Sequence, residues 1–173
     1  MKVKDWNTLF EKRYIQKDYI PVTMWFGKEV AYSDMFHYRV VDKNTIIEFH
    51  FNKSDETLKR FNIVNLDRDM SSVINNSNFE IFKVNPELGS LYCDRLQWEY
   101  GENLIVGGFI SDDVKMTLER FNDSFKINFK YSGSNDLGEK YYKLSESLLV
   151  SISEIGKIQS VTMLNFNDFN EIY

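Results

Sequence analysis

Cysteine is almost missing from this chain. Of 173 residues one is cysteine, two are proline, two are histidine and eight are glycine. A lone Cys93 has no internal disulfide partner, so the fold is no disulfide scaffold and a reducing, cytoplasmic setting is expected. Cys93 reads as a small, inert strand residue rather than a nucleophile. Two prolines are too few for a proline-rich linker. Apolar runs are short, of the kind LIVGGFI at 104–110, and none approaches the ~20 residues that span a bilayer. The opening MKVKDWNTLF lacks the apolar core of a secretory signal, and no membrane partner is expected.

Catalytic equipment is equally sparse. No HExxH, GxSxG, paired CxxC or EF-hand pattern occurs. Gly107-Gly108 is not followed by the Lys-Ser/Thr of a phosphate loop and suits a bend or a close backbone approach. Carboxylates pair at Asp67/Asp69, Glu99/Glu102 and Asp112/Asp113, but neighbouring carboxylates in tight turns are ordinarily just hydrated. Acid–base work needs two carboxyls held in different surroundings. The expectation is a protein that is not an enzyme and carries no cofactor.

Aromatic residues are plentiful: 14 Phe, 10 Tyr and 3 Trp, 16% of the chain, within an apolar share of 43%. Such residues suit pleated, half-buried surfaces, and 173 residues fit one domain, 1–173. The net charge of −5 is uneven. Residues 61–123 hold eleven acidic side chains against five basic, while 1–60 are net +2 and 124–173 net −1. An acidic middle repels phosphate backbones, so nucleic acid is not an expected partner; a basic protein is.

In DWNTLFEKRYIQKDY (5–19), Trp6, Leu9, Phe10, Arg13 and Tyr14 stand at helical spacing, which predicts an amphipathic helix ending before Pro21. Beyond it the period becomes two. In FHYRVVDKNTIIEFHF (36–51) the turn Asp42-Lys43-Asn44-Thr45 sets a pairing in which partner numbers sum to 87. Phe36, Tyr38 and Val40 then share one face with Ile47, Phe49 and Phe51. The other face sets His37 opposite His50 and Arg39 opposite Glu48. A second hairpin, 114–131, turns at Asn122-Asp123 and pairs Met116 with Phe129, Leu118 with Ile127 and Glu119 with Lys126. A third, 148–166, turns at Ile155-Gly156 and pairs Leu148 with Met163, Val150 with Val161 and Glu154 with Lys157.

Residues 95–131 read as a four-strand meander with a turn at Asp112-Asp113. Residues 58–66 and 79–84 read as weaker strands, and a short helix fits 70–74. Over 137–145 the spacing of Leu137, Tyr141 and Leu144, with Asp136 and Glu139 as a capping box, allows a helix; a strand is the alternative. The fold class is α+β, predominantly antiparallel β, as a meander sheet, sandwich or partly closed barrel with an N-terminal helix.

Two surfaces are candidates for function. The first is the polar sheet face of His37, Arg39, Glu48 and His50. Cross-strand Cβ atoms lie about 4.5–5.5 Å apart, which would let two imidazoles and a carboxylate converge on a divalent metal. Arg39 in the same patch opposes a metal and competes for Glu48, so the expectation is a solvated face, both imidazoles in water, with one cross-strand ion pair and no metal. The second is acidic: Glu99, Glu102, Asp112, Asp113 and Glu119 are candidate contacts for a basic protein partner. Were the strands instead to close into a barrel, the aromatic side chains would line a pocket for a small apolar ligand.

The closing hairpin LLVSISEIGKIQSVTMLNF, with its x-G-K-I-x-S-V return, resembles hairpins of immunity proteins from bacterial polymorphic toxin systems, contact-dependent growth inhibition among them. The small, acidic, cysteine-poor, strand-rich character of the chain is similar to theirs as well. The resemblance covers under a fifth of the chain and carries no particular residues across. It implies a cytoplasmic protein that binds a cognate toxin domain, often a basic nuclease, and masks its active site.

Overall fold

The computed structural model describes residues 2–4, 11–15, 22–67, 86–93, 109–121, 123–133 and 138–166. Fourteen strands lie among them: β1 (Lys2–Lys4), β2 (Glu11–Ile15), β3 (Val22–Phe26), β4 (Met35–Asp42), β5 (Thr45–Asn52), β6 (Leu58–Asn65), β7 (Glu87–Leu88), β8 (Ser90–Tyr92), β9 (Phe109–Asp113), β10 (Lys115–Phe121), β11 (Ser124–Lys130), β12 (Glu139–Lys143), β13 (Leu148–Ser153) and β14 (Ile158–Met163). The described residues contain no α-helix; their one helical turn is the 3₁₀ turn Tyr32–Asp34. No helix among them is long and apolar enough to cross a membrane.

The strands form two six-stranded sheets and a small β1–β8 pair. The first sheet runs β2-β3-β6-β5-β4-β9, the second β10-β11-β14-β13-β12-β7. Most neighbours are antiparallel; β4–β9 and β12–β7 are parallel. Both sheets bury their inner faces in one apolar cluster that includes Met24, Phe49, Phe51 and Phe61 from the first sheet and Leu118, Phe125, Ile127 and Val161 from the second. Each such side chain, fully buried, contributes about 1.5–3 kcal/mol relative to exposure. The aromatic rings pack on one another, Phe36 on Phe51 at 5.4 Å and Phe49 on Phe61 at 5.3 Å between centroids. These four rings belong to strands of the first sheet and pack in, or against, the apolar cluster.

The β4–β5 hairpin keeps the sum of 87 along its whole length, from Met35–Asn52 to Asp42–Thr45. Its left-handed turn residue is Lys43, φ 49°, rather than Asn44. In β10–β11, Met116–Phe129, Leu118–Ile127 and Glu119–Lys126 pair as the alternation requires. In β13–β14, Leu148–Met163 and Val150–Val161 do likewise. There the register slips by one between Ser151 and Ile152, so Ile152 meets Ile158. The turn closes with Ser153 N–H on the Lys157 carbonyl, and Glu154 does not pair with Lys157. Gly156, at φ 81°, takes the left-handed conformation that other residues resist.

Elsewhere the elements differ from expectation or settle an open alternative. Glu11–Ile15, inside the expected N-terminal helix, is a strand hydrogen-bonded to β3 from Glu11–Phe26 to Ile15–Val22. An available sheet edge overrides a local helical spacing; residues 5–10 and 16–19 lie outside the described residues. Glu139–Lys143 is strand β12, held between β13 and β7, so the alternative to the 137–145 helix holds there. The expected four-strand meander fails at its middle; its residues 95–108 lie outside the described residues. Asp112 and Asp113 are not a turn but the end of β9, which pairs with β4, and the chain passes through buried Val114 into β10 of the other sheet. Val114 N–H bonds the Val41 carbonyl, and Met116 N–H bonds the Asp42 carboxylate. These bonds fix the corner where one strand changes sheets. The segments 70–74 and 79–84 lie outside the described residues.

Candidate functional site

Alternation along β4 and β5 sends His37, Arg39, Glu48 and His50 to the outer face of the first sheet, and β6 adds Asn62 beside Glu48 and Arg60 beside His50. β3 completes the rows with Thr23 and Trp25. The face is not the wet one expected. His37 is 5% exposed and His50 1%, and Glu48 and Asn62 are buried too. The cause is visible in the contacts. Tyr32, from the 3₁₀ turn, stacks on the His37 ring at 4.4 Å and stands 5.8 Å from that of His50. The polar atoms beneath satisfy one another rather than water.

The centre of this face is a pair of imidazoles. His37 Nδ1 and His50 Nδ1 are 2.6 Å apart. At the far end of the second ring, His50 Nε2 lies 3.2 Å from Glu48 Oε2 and 2.9 Å from Asn62 Nδ2. Arg39 donates Nε–H and Nη2–H to Glu48 Oε1 at 3.0 and 2.5 Å. Arg60 Nε–H donates to Asn62 Oδ1 at 2.9 Å, which turns the amide Nδ2 toward His50. Each tautomer of His50 satisfies one of the two contacts at Nε2. With Nε2 protonated, His50 donates to Glu48 and accepts from His37 at Nδ1. With Nε2 bare, it accepts from Asn62 and donates through Nδ1 to His37. In both, a single hydrogen occupies the gap between the facing Nδ1 atoms, so the rings cannot both be imidazolium in this geometry.

Charge is tuned accordingly. Burial, followed by the neighbouring His50, lowers the pKa of His37 to about 4. Burial likewise lowers His50, against the pull of Glu48. Burial acts to raise Glu48, but hydrogen bonds from His50 and Arg39 outweigh it and hold the carboxyl at about 2. At neutral pH the cluster is therefore a neutral imidazole pair beside a closed Arg39–Glu48 ion pair.

The two imidazoles and the carboxylate do not converge on one point. Glu48 touches the Nε2 end of His50, whereas His37 faces its Nδ1 end. Among the described residues no group of three or more His, Cys, Asp or Glu is placed to hold a metal ion. The Arg39–Glu48 pair forms as the spacing predicted. Asn62, Arg60, Trp25 and Tyr32 were missed. The alternation of LKRFNIVNL does put Arg60 and Asn62 on one side of a strand, but nothing local says that this strand lies beside β5. Tyr32 sits in a turn no periodicity marks.

The acidic residues are dispersed. Asp112 is half-buried, and its Oδ2 accepts from the Tyr38 hydroxyl at 3.0 Å. Tyr38 also meets Tyr131 Oη at 3.1 Å across the two sheets, and Tyr131 donates to the Ile158 carbonyl. Burial, then Tyr131 and Asp112, push the Tyr38 phenol well above its ordinary value. Glu119 accepts from the Asn128 amide at 2.9 Å, while Lys126, its partner in register, reaches Tyr141 instead. Asp113 is exposed at the end of β9, in register with Val41 of β4. Glu99 and Glu102 lie outside the described residues. Cys93 is buried and forms no disulfide. Compared with models of protein families and with characterised proteins, the chain matches none of them.

Proposed function

We propose that the protein is a non-enzymatic binding module for a basic protein partner. Its most concrete form is a cytoplasmic immunity protein of a bacterial toxin system that binds and masks a cognate toxin domain. The observation that carries this reading is the course of residues 109–121. Among the described residues, β9 is the outermost strand of the first sheet and β10 the outermost strand of the second, joined through Val114. The end of the acidic middle third thus runs along the margin of both sheets, with Ser111, Asp113, Lys115 and Thr117 exposed in sequence. Sheet margins serve protein recognition through main-chain pairing, with side-chain charge setting specificity and association rate.

The test is affinity capture from the native cytosol, followed by association kinetics of the captured protein with the wild type and with Asp113→Lys. The reading expects slower association for the variant and an on-rate that falls with added salt. Association that ignores both salt and the substitution contradicts it.

A further inference from the structure

We infer that the outer face of the first sheet binds a phosphate monoester, with Arg60 gripping the phosphate and the His37–His50 pair beneath it. The inference is independent of partner binding at the sheet margin. It starts from an imbalance of charge. Arg60 is half-buried in the middle of β6. Its Nε–H donates to the Asn62 amide, and its guanidinium lies 5.0 Å from the Trp25 ring centroid. Both contacts are with uncharged groups. Among the described residues no carboxylate stands at ion-pair distance from it; the nearby Glu48 is closed by Arg39 on the opposite side. A half-buried guanidinium whose contacts are with uncharged groups can take an anion, and its planar fork suits two oxygens of a phosphate or carboxylate. With Nε engaged, both terminal amino groups remain for an anion from outside.

The surroundings select the class. In the ladder Arg60 stands between Trp25 and His50, and His37 follows in the same row. The neutral imidazole pair carries two hydrogens, one shared between the Nδ1 atoms and one on an outer nitrogen, and can take one further proton. Arg60 and that one proton match the two charges of a phosphate monoester, whereas a carboxylate needs only Arg60. Trp25, half-buried, and Tyr32, 53% exposed, offer flat rings at the rim for the organic part of the ester.

Proton uptake should accompany binding. Among the described residues, the groups facing the pair include Glu48 from β5, Arg39 from β4, Arg60 from β6, Lys53 just beyond β5, and the Tyr32 phenol. Arg39, Arg60 and Lys53 oppose a charged imidazole and Glu48 favours it. A bound dianion adds to the Glu48 side of that balance, so affinity increases as pH falls from 8 to 6.

The experiment is calorimetric titration of the full chain with phenyl phosphate, with inorganic phosphate and phenol as separate arms, at pH 6 and pH 8. The inference expects phenyl phosphate to bind most tightly, more tightly at pH 6, and about tenfold or more weaker in Arg60→Gln. Arg60→Lys keeps the charge without the fork and should retain weakened binding; it carries the test if Arg60→Gln does not fold by circular dichroism. Binding equal in wild type and both variants overturns the inference. So does phenol binding as well as its phosphate ester, or an absence of binding by either phosphate.

Discussion

His37 and His50 face each other through their Nδ1 atoms at 2.6 Å, across neighbouring antiparallel strands and almost out of reach of water. One hydrogen fills that gap. The pair is thus a single titrating unit in a dry polar layer, tied by His50 to Glu48 and Asn62. Two consequences of the pair can be measured, and two further predictions concern other parts of the fold.

Removing one ring strands the other. His50→Ala leaves Glu48 Oε2, Asn62 Nδ2 and His37 Nδ1 buried with a partner lost, which should cost about 2–4 kcal/mol. The double variant with His37→Ala should cost clearly less than the two singles summed, because the shared contact is counted twice. Urea unfolding of the four proteins gives the coupling directly.

Acid should weaken the fold in a defined window. The His37 imidazole lies at about 4 in the folded chain against 6.5 ordinarily. Between those values the unfolded chain binds more protons, so stability rises with pH there. It is fully present above about 6.5 and is lost as pH falls toward 4. Glu48, at about 2 instead of 4.5, adds a second loss below 4.5 with the same sign. The imidazole alone accounts for on the order of 2–3 kcal/mol between pH 7.5 and 4.5, readable as a falling urea midpoint.

Adjacent aspartates should behave differently. Asp112→Ala deprives the buried Tyr38 hydroxyl of a partner and should cost about 1–2 kcal/mol. Asp113→Ala, at an exposed site, should stay within about 0.5 kcal/mol of wild type. Tyr38→Phe should cost about 1–2 kcal/mol as well, since it also breaks the bridge to Tyr131 between the sheets. Thermal unfolding of the three variants separates these outcomes.

The turn of the last hairpin depends on one glycine. Gly156→Ala forces a Cβ into φ 81°, at a cost of about 1–2 kcal/mol. A thermal melt no lower than that of wild type would show that the turn relaxes without strain.

What could be read without coordinates was local. A two-residue period and a short turn settle which side chains meet, so the β4–β5 pairing from Phe36–Phe51 to Val40–Ile47 follows from sequence alone. The same holds for Met116–Phe129 and Val150–Val161. Long-range placement was not legible. Nothing in FISDD says that β9 pairs in parallel with β4, some 70 residues earlier, and nothing in EKRYI outweighs the helical spacing of its apolar neighbours. The wet reading of the histidines failed for the same reason. Alternation assigns a face, but whether that face is dry depends on Tyr32 and on the Asn62 and Arg60 of β6, each brought there by the fold. The ion pair Arg39–Glu48 was legible because both members sit on one hairpin.

The most direct test uses the fact that the chain has only two histidines. The imidazole carbon-bound protons can be followed by NMR from pH 8 to pH 4.5 with no crowding from others. A buried pair sharing one hydrogen predicts that neither ring titrates near 6.5 and that the two do not both become charged while the protein stays folded. Two independent titrations close to 6.5 in the folded protein would contradict it.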